Sequence, residues 1–396
     1  MKILWAKADF LHPTTKGGQI RTLETLKRLH ARHEVHFAAL ADPASPEGPE
    51  RAGEYASRVI AVPHAAPSKS SPKFALEALG NLLSPLPLAI ARWQSAELRR
   101  RISELRERER YDAVICDFLA PAPNFDSLEG VVLFQHNVEM MLWRRHASTA
   151  KGLLKKRYFE AQARRMYDYE REVCRAVDRV VAVSAADAQT MRDEFAIANV
   201  DWAPTGVDTA HFGLPPEPPQ PVADLVFIGS MDWMPNIDGV VWFADEILPK
   251  IRARRPETTV AIVGRSPGAV VQGLGRDLPN FTVTGTVPDV RPYLWGSKVS
   301  IVPLRIGGGT RLKIYESMAA GVAVVSTTIG AEGLEIHPPN DIRIADDPES
   351  FAEQCIALLD TPKARRAVAR AGFDLVRAQF SWDKVVDRFE EAAGMT

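Results

Sequence analysis

Short apolar runs recur along the whole chain, and longer segments with helical periodicity separate them. The runs are rich in valine, isoleucine and leucine and show little polar alternation, as expected of strands covered on both faces. No hairpin signal joins one run to the next. This order of elements predicts an α/β fold built from parallel, doubly wound sheets. The runs lie at 2–7, 34–40, 59–63, 112–117, 131–136, 179–184, 224–229, 258–264, 281–287, 299–304 and 323–326.

A proline-rich segment at 215–221 interrupts this pattern. Five of its seven residues are proline, so it can neither continue a helix nor donate hydrogen bonds inside a central strand. It therefore predicts an extended connector between two sheet domains, and the length of 396 residues agrees with that number. Because ligands of such folds bind at the carboxyl ends of strands, candidate chemistry is expected just after the apolar runs.

Composition excludes several classes of protein. With 46% hydrophobic and 25% charged residues, the chain has the balance of a soluble globular protein. Its 49 basic and 50 acidic residues nearly cancel, which argues against a nucleic acid partner. Cys116, Cys174 and Cys355 form no C-x-x-C pair, which excludes a disulfide scaffold and a zinc ribbon. No signal sequence or membrane-spanning run is evident, so we expect a cytoplasmic protein.

A basic stretch at 144–175 is expected to form one long helix. It carries ten lysine or arginine residues against four acidic ones. Two interpretations stay open: a solvated helix face, or a surface for an anionic acceptor such as a lipid phosphate at the inner face of a membrane.

Two glycine-containing loops are candidates for binding phosphate. Gly17 and Gly18 follow the first run and precede a helical segment at 19–29, where backbone amides can approach an anion; the alternative is a tight turn. Their spacing is not G-x-G-x-x-G, which excludes a nicotinamide dinucleotide site. The second loop, at 307–309, leads into a helix whose first turn carries Arg311 and Lys313. Cations are disfavoured at that helix end, so their presence indicates an added anion rather than an exposed structural helix.

Two side chains complete the candidate chemistry. Glu316 lies three residues beyond Lys313 on the same helix face. A cation for phosphate and a carboxylate for paired hydroxyls together describe a nucleoside diphosphate. His136 ends the apolar run at 131–136; it is either a hydrogen-bonded structural residue or a ligand-contacting one, and its place at a strand end favours contact with a ligand.

The segment 307–334 resembles the donor-binding region of the family-4 retaining glycosyltransferases, which have the two-domain architecture called GT-B. The resemblance runs in order over nearly the whole chain. It rests further on motifs at 17–18, 136–139, 183–184, 204–208, 227–231, 263–265, 285–290 and 380–382.

This resemblance implies two Rossmann-like parallel-sheet domains that face each other across a cleft. Residues 1–212 would form an acceptor-binding domain and residues 213–379 a donor-binding domain. Residues 380–396 would form a helix that crosses back to the first domain. Acceptor recognition would then fall on segments such as 41–49 and 63–87, which show no decodable pattern.

The resemblance also implies roles for individual residues. His136 would contact the transferred sugar, while Arg265 and Lys313 would neutralise the phosphates during catalysis. Glu316 would bind the ribose hydroxyls, and Val287 would lie near the base. The donor-binding set comprises Gly17, Gly18, Val287, Gly308, Gly309, Thr310, Arg311 and Glu316.

Two positions depart from the family pattern. Gly308 stands where the family has the first glutamate of a pair eight residues apart, and the loop 229–236 lacks the usual cations. These departures leave the donor sugar open.

The resemblance thus implies a retaining transferase that moves a hexose-type sugar from a nucleotide diphosphate sugar. No D-x-D motif occurs, so no metal or other cofactor is expected. The acceptor would be a polysaccharide, a lipid-linked glycan or a small molecule. Alternatives are a nucleotide-sugar-binding protein without transfer activity and a nucleotide-sugar epimerase of the same fold.

Overall fold

The computed structural model describes residues 1–14, 17–65, 67, 71–81, 83–150, 152–215, 217, 219–306 and 312–396. The chain divides into two compact units. The first comprises Met1–Pro204 and Val385–Thr396, and the second comprises Thr205–Lys384.

These limits differ from the expected domains 1–212, 213–379 and 380–396, because segments on both sides of the expected boundaries pack on the second unit. Val207 N donates to Phe380 O at 2.8 Å, and Trp295 Nε1 donates to Gly213 O at 2.9 Å. Phe380 in turn stacks on Tyr315 with 4.4 Å between ring centroids. The proline-rich segment therefore lies inside the second unit.

The first unit contains one parallel sheet. Its strands are β1 (Lys2–Asp9), β2 (Glu34–Ala41), β3 (Arg58–Pro63), β4 (Ala113–Asp117), β5 (Val131–Phe134), β6 (Arg179–Ala182) and β7 (Val200–Trp202). They lie in the order β3-β2-β1-β4-β5-β6-β7, and each neighbouring pair is parallel. The helices that precede residue 200 are α1 (Gly17–Arg32), α2 (Glu47–Glu50), α3 (Pro72–Asn81), α4 (Leu88–Ala91), α5 (Ala96–Arg108), α6 (Glu139–Thr149), α7 (Leu153–Ala176) and α8 (Ala185–Phe195).

The second unit contains another parallel sheet. Its strands are β8 (Ala223–Ile228), β9 (Val260–Val263), β10 (Phe281–Val283), β11 (Ser297–Val302), β12 (Ala323–Ser326) and β13 (Arg343–Ile344). Their order is β10-β9-β8-β11-β12-β13. The remaining helices are α9 (Met234–Trp242), α10 (Leu248–Arg254), α11 (Ala269–Asp277), α12 (Arg291–Trp295), α13 (Leu312–Ala319), α14 (Pro348–Asp360), α15 (Pro362–Gln379) and α16 (Trp382–Ala392).

Burial on both faces explains why the central strands read as continuous apolar runs. Every residue of β4 and β5 is buried, as are the six inner residues of β1. The end of the chain contributes to the same core: the Phe389 ring of α16 lies 4.9 Å from Phe134 and 5.7 Å from Trp5 between centroids. The final helix thus returns to the first unit, as expected.

The basic stretch at 144–175 is not one long helix, contrary to the expectation. It is divided between α6 and α7, and Gly152 separates them with a φ of 87°. This left-handed conformation is accessible to glycine but interrupts a right-handed helix. No helix in the described ranges has the length and apolar content needed to span a membrane.

Strand order gives each unit a topological switch point. In the first sheet, the chain proceeds from β1 to β2 and β3 on one side and from β4 to β5, β6 and β7 on the other. In the second sheet, it proceeds from β8 to β9 and β10 on one side and from β11 to β12 and β13 on the other. Such switch points are where doubly wound folds bind ligands. The loops after these four strands therefore position the candidate chemistry.

Candidate functional site

A buried polar cluster lies at the switch point of the first unit. In parallel register, Lys7 of β1 pairs with Asp117 of β4, and Asp117 pairs with Phe134, two residues before His136. The side chains of Lys7, Asp117 and His136 are at most 9% exposed. Because adjacent parallel strands end at one edge, three chain segments far apart in sequence deliver polar groups to one place.

Asp117 is the centre of this cluster and accepts four hydrogen bonds. Its Oδ1 accepts from Lys7 Nζ at 2.8 Å and from His136 Nε2 at 2.5 Å. Its Oδ2 accepts from Trp5 Nε1 at 2.9 Å and from Thr22 Oγ1 at 2.7 Å. Burial by itself would raise the pKa of Asp117, but Lys7 and His136 hold that pKa well below its usual range. The carboxyl group is therefore ionised at neutral pH.

His136 is neutral and fixed in one tautomer. Burial lowers the pKa of the imidazole to about 4, against the opposing effect of Asp117. A neutral imidazole has one donor and one acceptor nitrogen. Nε2 donates to Asp117, and Nδ1 accepts from Arg21 Nη1 at 3.3 Å. The structure therefore places His136 in a hydrogen-bonded network, and its contact with a sugar stays a prediction.

The glycine pair predicted from the first loop lies beside this histidine. Gly17 begins α1, and a Cβ added to Gly18 would lie 3.9 Å from His136 Nδ1. The structure thus brings Gly18 and His136 together. Helix α1 is 16 residues long, and the amino end of such a helix is a place where an anion can bind.

In the second unit, the loops after β8 and β9 meet the start of helix α13 at the switch point. A Cβ on Gly264, after β9, would collide with the carbonyl oxygen of Gly229, after β8. A Cβ on Gly229 would lie 2.7 Å from both Lys313 Nζ and Asn236 Nδ2. The loop that begins at Gly229 therefore needs glycine because other groups approach its backbone closely.

Lys313 is held at this loop by an amide and an aromatic ring. Its Nζ donates to Asn236 Oδ1 at 2.8 Å and lies 4.4 Å from the centroid of Phe227. Asn236 Nδ2 donates to Ser230 O at 2.8 Å. The lysine that the sequence singled out is thereby positioned over the Gly229–Ser230 backbone.

Arg265 reaches the same loop from the other side. Its Nε donates to Ser230 Oγ at 2.8 Å and lies 3.4 Å from Asp232 Oδ2. Both charged side chains are about half exposed, at 50% and 49%. Ser230 thus links the two predicted cations, through its hydroxyl to Arg265 and through its carbonyl and Asn236 to Lys313.

The remaining predicted residues have different positions. Glu316 lies on α13 and is half-buried; burial raises the pKa of its carboxyl to about 7, and Lys313 opposes this. Val287 follows β10 and packs against the smaller apolar cluster of the second unit. Four predicted positions lie outside the described residues: Gly308, Gly309, Thr310 and Arg311.

Sequence reasoning missed Lys7, Asp117, Arg21 and Asn236. A signal for Lys7 and Asp117 was present in the sequence: each is a charged residue in an apolar run, their charges are opposite, and the two runs form the neighbouring strands β1 and β4. In the described ranges, no group of three or more His, Cys, Asp or Glu side chains is arranged to hold a metal ion.

Family comparison covers both units. Residues 15–211 match the family described as "Glycosyltransferase Family 4", and residues 223–361 match "Glycosyl transferases group 1". The chain belongs to these glycosyltransferases. The family and the transferase activity predicted from the sequence are thereby confirmed.

Solved structures with the same fold span the chain. A sucrose-phosphate synthase from Thermosynechococcus elongatus has 15% identity and a TM-score of 0.66, and the match covers 100% of this chain and 98% of that one. The Anabaena protein HepE, in complex with UDP and glucose, has 14% identity and a TM-score of 0.64, with both chains covered fully. The predicted GT-B fold is confirmed.

Two curated relatives have higher sequence identity than these structures, but they match a smaller part of the chain. An uncharacterised 44.6 kDa protein in the cps region of Klebsiella pneumoniae is 20% identical, over 78% of this chain and 79% of its own. A GDP-mannose-dependent monoacylated phosphatidylinositol monomannoside mannosyltransferase of Corynebacterium glutamicum is 27% identical, over 47% of this chain and 53% of its own.

Proposed function

We propose that the protein transfers a hexose from a nucleotide diphosphate sugar to a saccharide or lipid-linked acceptor, with retention of configuration and without a metal ion. The observation that carries the proposal is the position of Lys313. Its ammonium group lies at the switch point of the second unit, against Gly229, in the first turn of α13. This is where a doubly wound fold binds a diphosphate.

Two cations stabilise the negative charge of the departing nucleotide. When the sugar–phosphate bond breaks, negative charge grows on the diphosphate, and fixed positive groups stabilise that charge in the transition state. Lys313 and Arg265 supply the charge at the Gly229–Ser230 loop. Glu316 accepts hydrogen bonds from the ribose hydroxyls, and Val287 lies by the base.

Retention follows if no protein group removes the acceptor's proton. His136 is unsuited to that task because its Nδ1 lone pair already faces Arg21 and its Nε2 donates to Asp117. The departing phosphate oxygen then accepts the proton from the acceptor hydroxyl on the face that the nucleotide leaves. His136 contacts the transferred sugar, and the amides of Gly17 and Gly18 bind the diphosphate.

The nucleotide is uridine or guanosine diphosphate. HepE is solved with UDP-glucose, and the Corynebacterium relative uses GDP-mannose. Both sugar nucleotides are therefore the first donors to test.

Lys313→Ala tests the assignment. Loss of one preorganised cation should lower turnover by about a hundredfold or more, measured as nucleotide release with UDP-glucose or GDP-mannose. Lys250→Ala is the matched control, because Lys250 is an exposed lysine of the same unit that pairs with Glu349 at 2.7 Å. Unchanged turnover in Lys313→Ala would contradict the proposal.

The two alternatives give different results in the same assay. A binding protein without transfer activity would bind donor in a calorimetric titration and release no nucleotide. An epimerase would convert the donor sugar with no acceptor present.

We further propose contact with an anionic membrane surface at the cytoplasmic face. Helix α3 exposes Leu76 and Leu79, which share one face of the helix, and Leu83 lies in a turn after the end of α3. Leu76, Leu79 and Leu83 are 69%, 62% and 94% exposed. Such a stripe fits the apolar zone of a bilayer surface.

Basic residues adjoin this stripe. Gln162 Nε2 of α7 donates to Asn81 Oδ1 at the end of α3, at 3.3 Å. On the same helix α7, Lys155, Lys156 and Arg157 are exposed. Cations beside an apolar stripe fit anionic headgroups, each contributing about 1 kcal/mol near the surface.

Vesicle sedimentation tests this contact. The double variant Leu79→Ser/Leu83→Ser should lose binding to phosphatidylglycerol vesicles, whereas Leu214→Ser, an exposed leucine of the second unit, should not. Equal binding to neutral phosphatidylcholine vesicles would contradict an electrostatic contribution.

A further inference from the structure

A buried carboxyl group of α7 has no part in the mechanism proposed above. Glu170 is 0% exposed, and no cationic side chain in the described ranges forms an ion pair with it. Burying an acid without a counter-charge is costly, and an apolar side chain of similar volume would avoid that cost. The contacts of Glu170 therefore have to explain why an acid occupies this position.

The three groups that donate to Glu170 all come from the segment that contains His136. Oε1 accepts from Gln135 Nε2 at 2.8 Å and from Glu139 N at 3.0 Å, and Oε2 accepts from Met140 N at 2.7 Å. Gln135 directly precedes His136, and Glu139 and Met140 begin α6. Glu170 therefore binds the chain on both sides of the histidine.

Glu170 provides the amino-terminal cap of α6. Val138, the residue before this helix, makes no capping hydrogen bond through its side chain. The first N–H groups of a helix have no partner within the helix, and an acidic group that accepts from them is favoured by the helix dipole. A residue of α7, 31 positions after Glu139, supplies this acceptor. The contact fixes the place where α6 begins.

Two acidic residues thus hold His136 in different ways. Asp117 accepts from the ring, at 2.5 Å from Nε2, and sets its tautomer. Glu170 instead holds the chain that carries the ring, through the side chain of Gln135 and the first amides of α6. The backbone N–H of Gln135 also donates to Val181 O at 2.9 Å, which joins the same segment to β6. Because a displacement of about 1 Å can lower turnover a hundredfold, such an anchor bears on activity.

We infer that Glu170 is a positioning residue: by accepting hydrogen bonds from Gln135 and from the first two amides of α6, it holds His136 against the transferred sugar. The inference rests on the proposed function, since it acts through the sugar contact assigned there to His136. It adds to that function the side chain that orients the contact.

Steady-state kinetics of Glu170→Leu test the inference with UDP-glucose or GDP-mannose as donor. Leucine offers no acceptor, so kcat should fall about tenfold or more. The donor KM should stay within about twofold, because the cations for the diphosphate lie in the second unit. Glu170→Gln should recover most of the loss at pH 7, since its amide oxygen accepts from the same N–H groups. Wild-type kcat in Glu170→Leu, or equal losses in both variants, would overturn the inference.

Tyr167→Phe is the matched control on the same helix. The hydroxyl of Tyr167 donates to Glu194 O of α8 at 3.0 Å. The variant therefore removes a hydrogen bond of α7 that does not involve the His136 segment, and kcat should not change.

A double variant separates positioning from a general loss of stability. If Glu170 acts through His136, adding Glu170→Leu to His136→Ala should lower kcat no further. Losses that multiply in the double variant would refute the inference, because independent effects on the fold combine in that way.

Hydrogen exchange measures the contact without turnover. In Glu170→Leu, the amides of Glu139 and Met140 should exchange about tenfold faster or more, while those of β1 keep their rates. Unchanged exchange at both amides would overturn the inference. If the wild type turns over neither donor, the proposed function fails, and this exchange result still decides the contact. If the wild type is active and Glu170→Leu keeps its kcat, the positioning role alone fails.

A pH profile of Glu170→Gln provides the test if Glu170→Leu does not fold. Burial raises the pKa of Glu170 to about 8, and the N–H groups of Met140 and Glu139 oppose this. The titratable groups that face it in the described ranges are the carboxyl of Glu139, which adds to the rise, and Cys174, whose own pKa burial raises. An ionised acceptor binds N–H groups more strongly than an amide, so the ratio of wild-type kcat to that of Glu170→Gln should rise at least about twofold from pH 7 to 9. A constant ratio would refute the inference.

Discussion

Replacing Asp117 by asparagine removes one buried charge from the first-unit cluster and almost no volume. Lys7 Nζ lies 2.8 Å from Asp117 Oδ1, and the side chains are 8% and 0% exposed. Asparagine keeps the shape of the side chain but leaves the Lys7 ammonium group without a counter-charge. The variant therefore measures how far the cluster depends on charge.

The expected magnitude follows from how the four hydrogen bonds are shared. Each carboxylate oxygen of Asp117 accepts from two donors, so an asparagine, with a single oxygen, must present its NH₂ group to two of them. Loss of a partner from a buried ion pair costs about 3–5 kcal/mol. Unsatisfied buried donors add about 1–3 kcal/mol each. We expect Asp117→Asn to lower the free energy of unfolding of the first unit by at least about 3 kcal/mol.

Hydrogen exchange read from peptides of β1 and β4 is the assay, because it reports the opening of the first unit by itself. Asp168→Asn is the control: Asp168 pairs with Arg171 on the surface of α7 in the same unit, with 58% and 39% of the side chains exposed, and its replacement should change stability by less than about 0.5 kcal/mol. A loss below about 1 kcal/mol in Asp117→Asn would refute the reasoning.

A double variant that removes both charges of the Lys7–Asp117 pair also tests how far the cluster depends on charge. Lys7→Met combined with Asp117→Leu removes both charges and should cost less than Asp117→Asn alone, because no buried charge is then left unpaired. Additive losses in the two positions would mean that the pair is not coupled.

Three further predictions follow from the contacts. The pKa of His136 is about 4 in the folded state, below its unfolded value. The contribution of His136 to stability is therefore complete above about pH 6.5 and is lost as the pH falls towards 4, by about 1.4 kcal/mol per pH unit. Comparing the free energy of unfolding of wild type and His136→Gln between pH 7 and 5 checks this. Gly229→Ala should displace Lys313 and weaken nucleotide affinity by about tenfold in calorimetry, whereas Gly268→Ala, whose added Cβ meets nothing within 4 Å, should not. Phe389→Ala should destabilise the first unit by about 3–5 kcal/mol, seen as faster exchange in β1 and β5.

The fold could be predicted from the sequence because strand burial leaves a local signal. The runs at 112–117 and 131–136 are apolar on both faces, and they become β4 and β5, which are wholly buried. Strand order follows from the connectivity rules of parallel sheets once no hairpin is present. Neither inference needs contacts between distant residues.

Boundaries in the structure differ from those expected where a distant contact or one glycine decides them. The first domain was expected to end at residue 212, but the backbone N–H of Val207 donates a hydrogen bond to the carbonyl oxygen of Phe380, which is far away in sequence. The helix break at Gly152 depends on a positive φ, which composition alone does not specify. A proline-rich segment marks an extended chain, but it does not say on which unit that chain packs.

The candidate site was predictable where each loop carried its own signal. Arg265 stands just after β9, and Gly18 and Lys313 lie in the first turns of the helices that follow β1 and β11. The roles of these residues stay predictions. Asp117 gave no such signal, because its meaning depends on Lys7, which is 110 residues away.

The two units differ in the free energy that is needed to separate a cation from its carboxylate partner so that the cation can bind a ligand. Lys7 could meet a phosphate only by leaving Asp117, and breaking a buried pair costs about 3–5 kcal/mol. Arg265 pairs with Asp232 at the surface, both about half exposed, and such pairs contribute about 0–1 kcal/mol. Exchanging Asp232 for a phosphate is therefore inexpensive. This difference argues that the second unit binds the diphosphate, while the charges of the first unit hold His136 in one orientation.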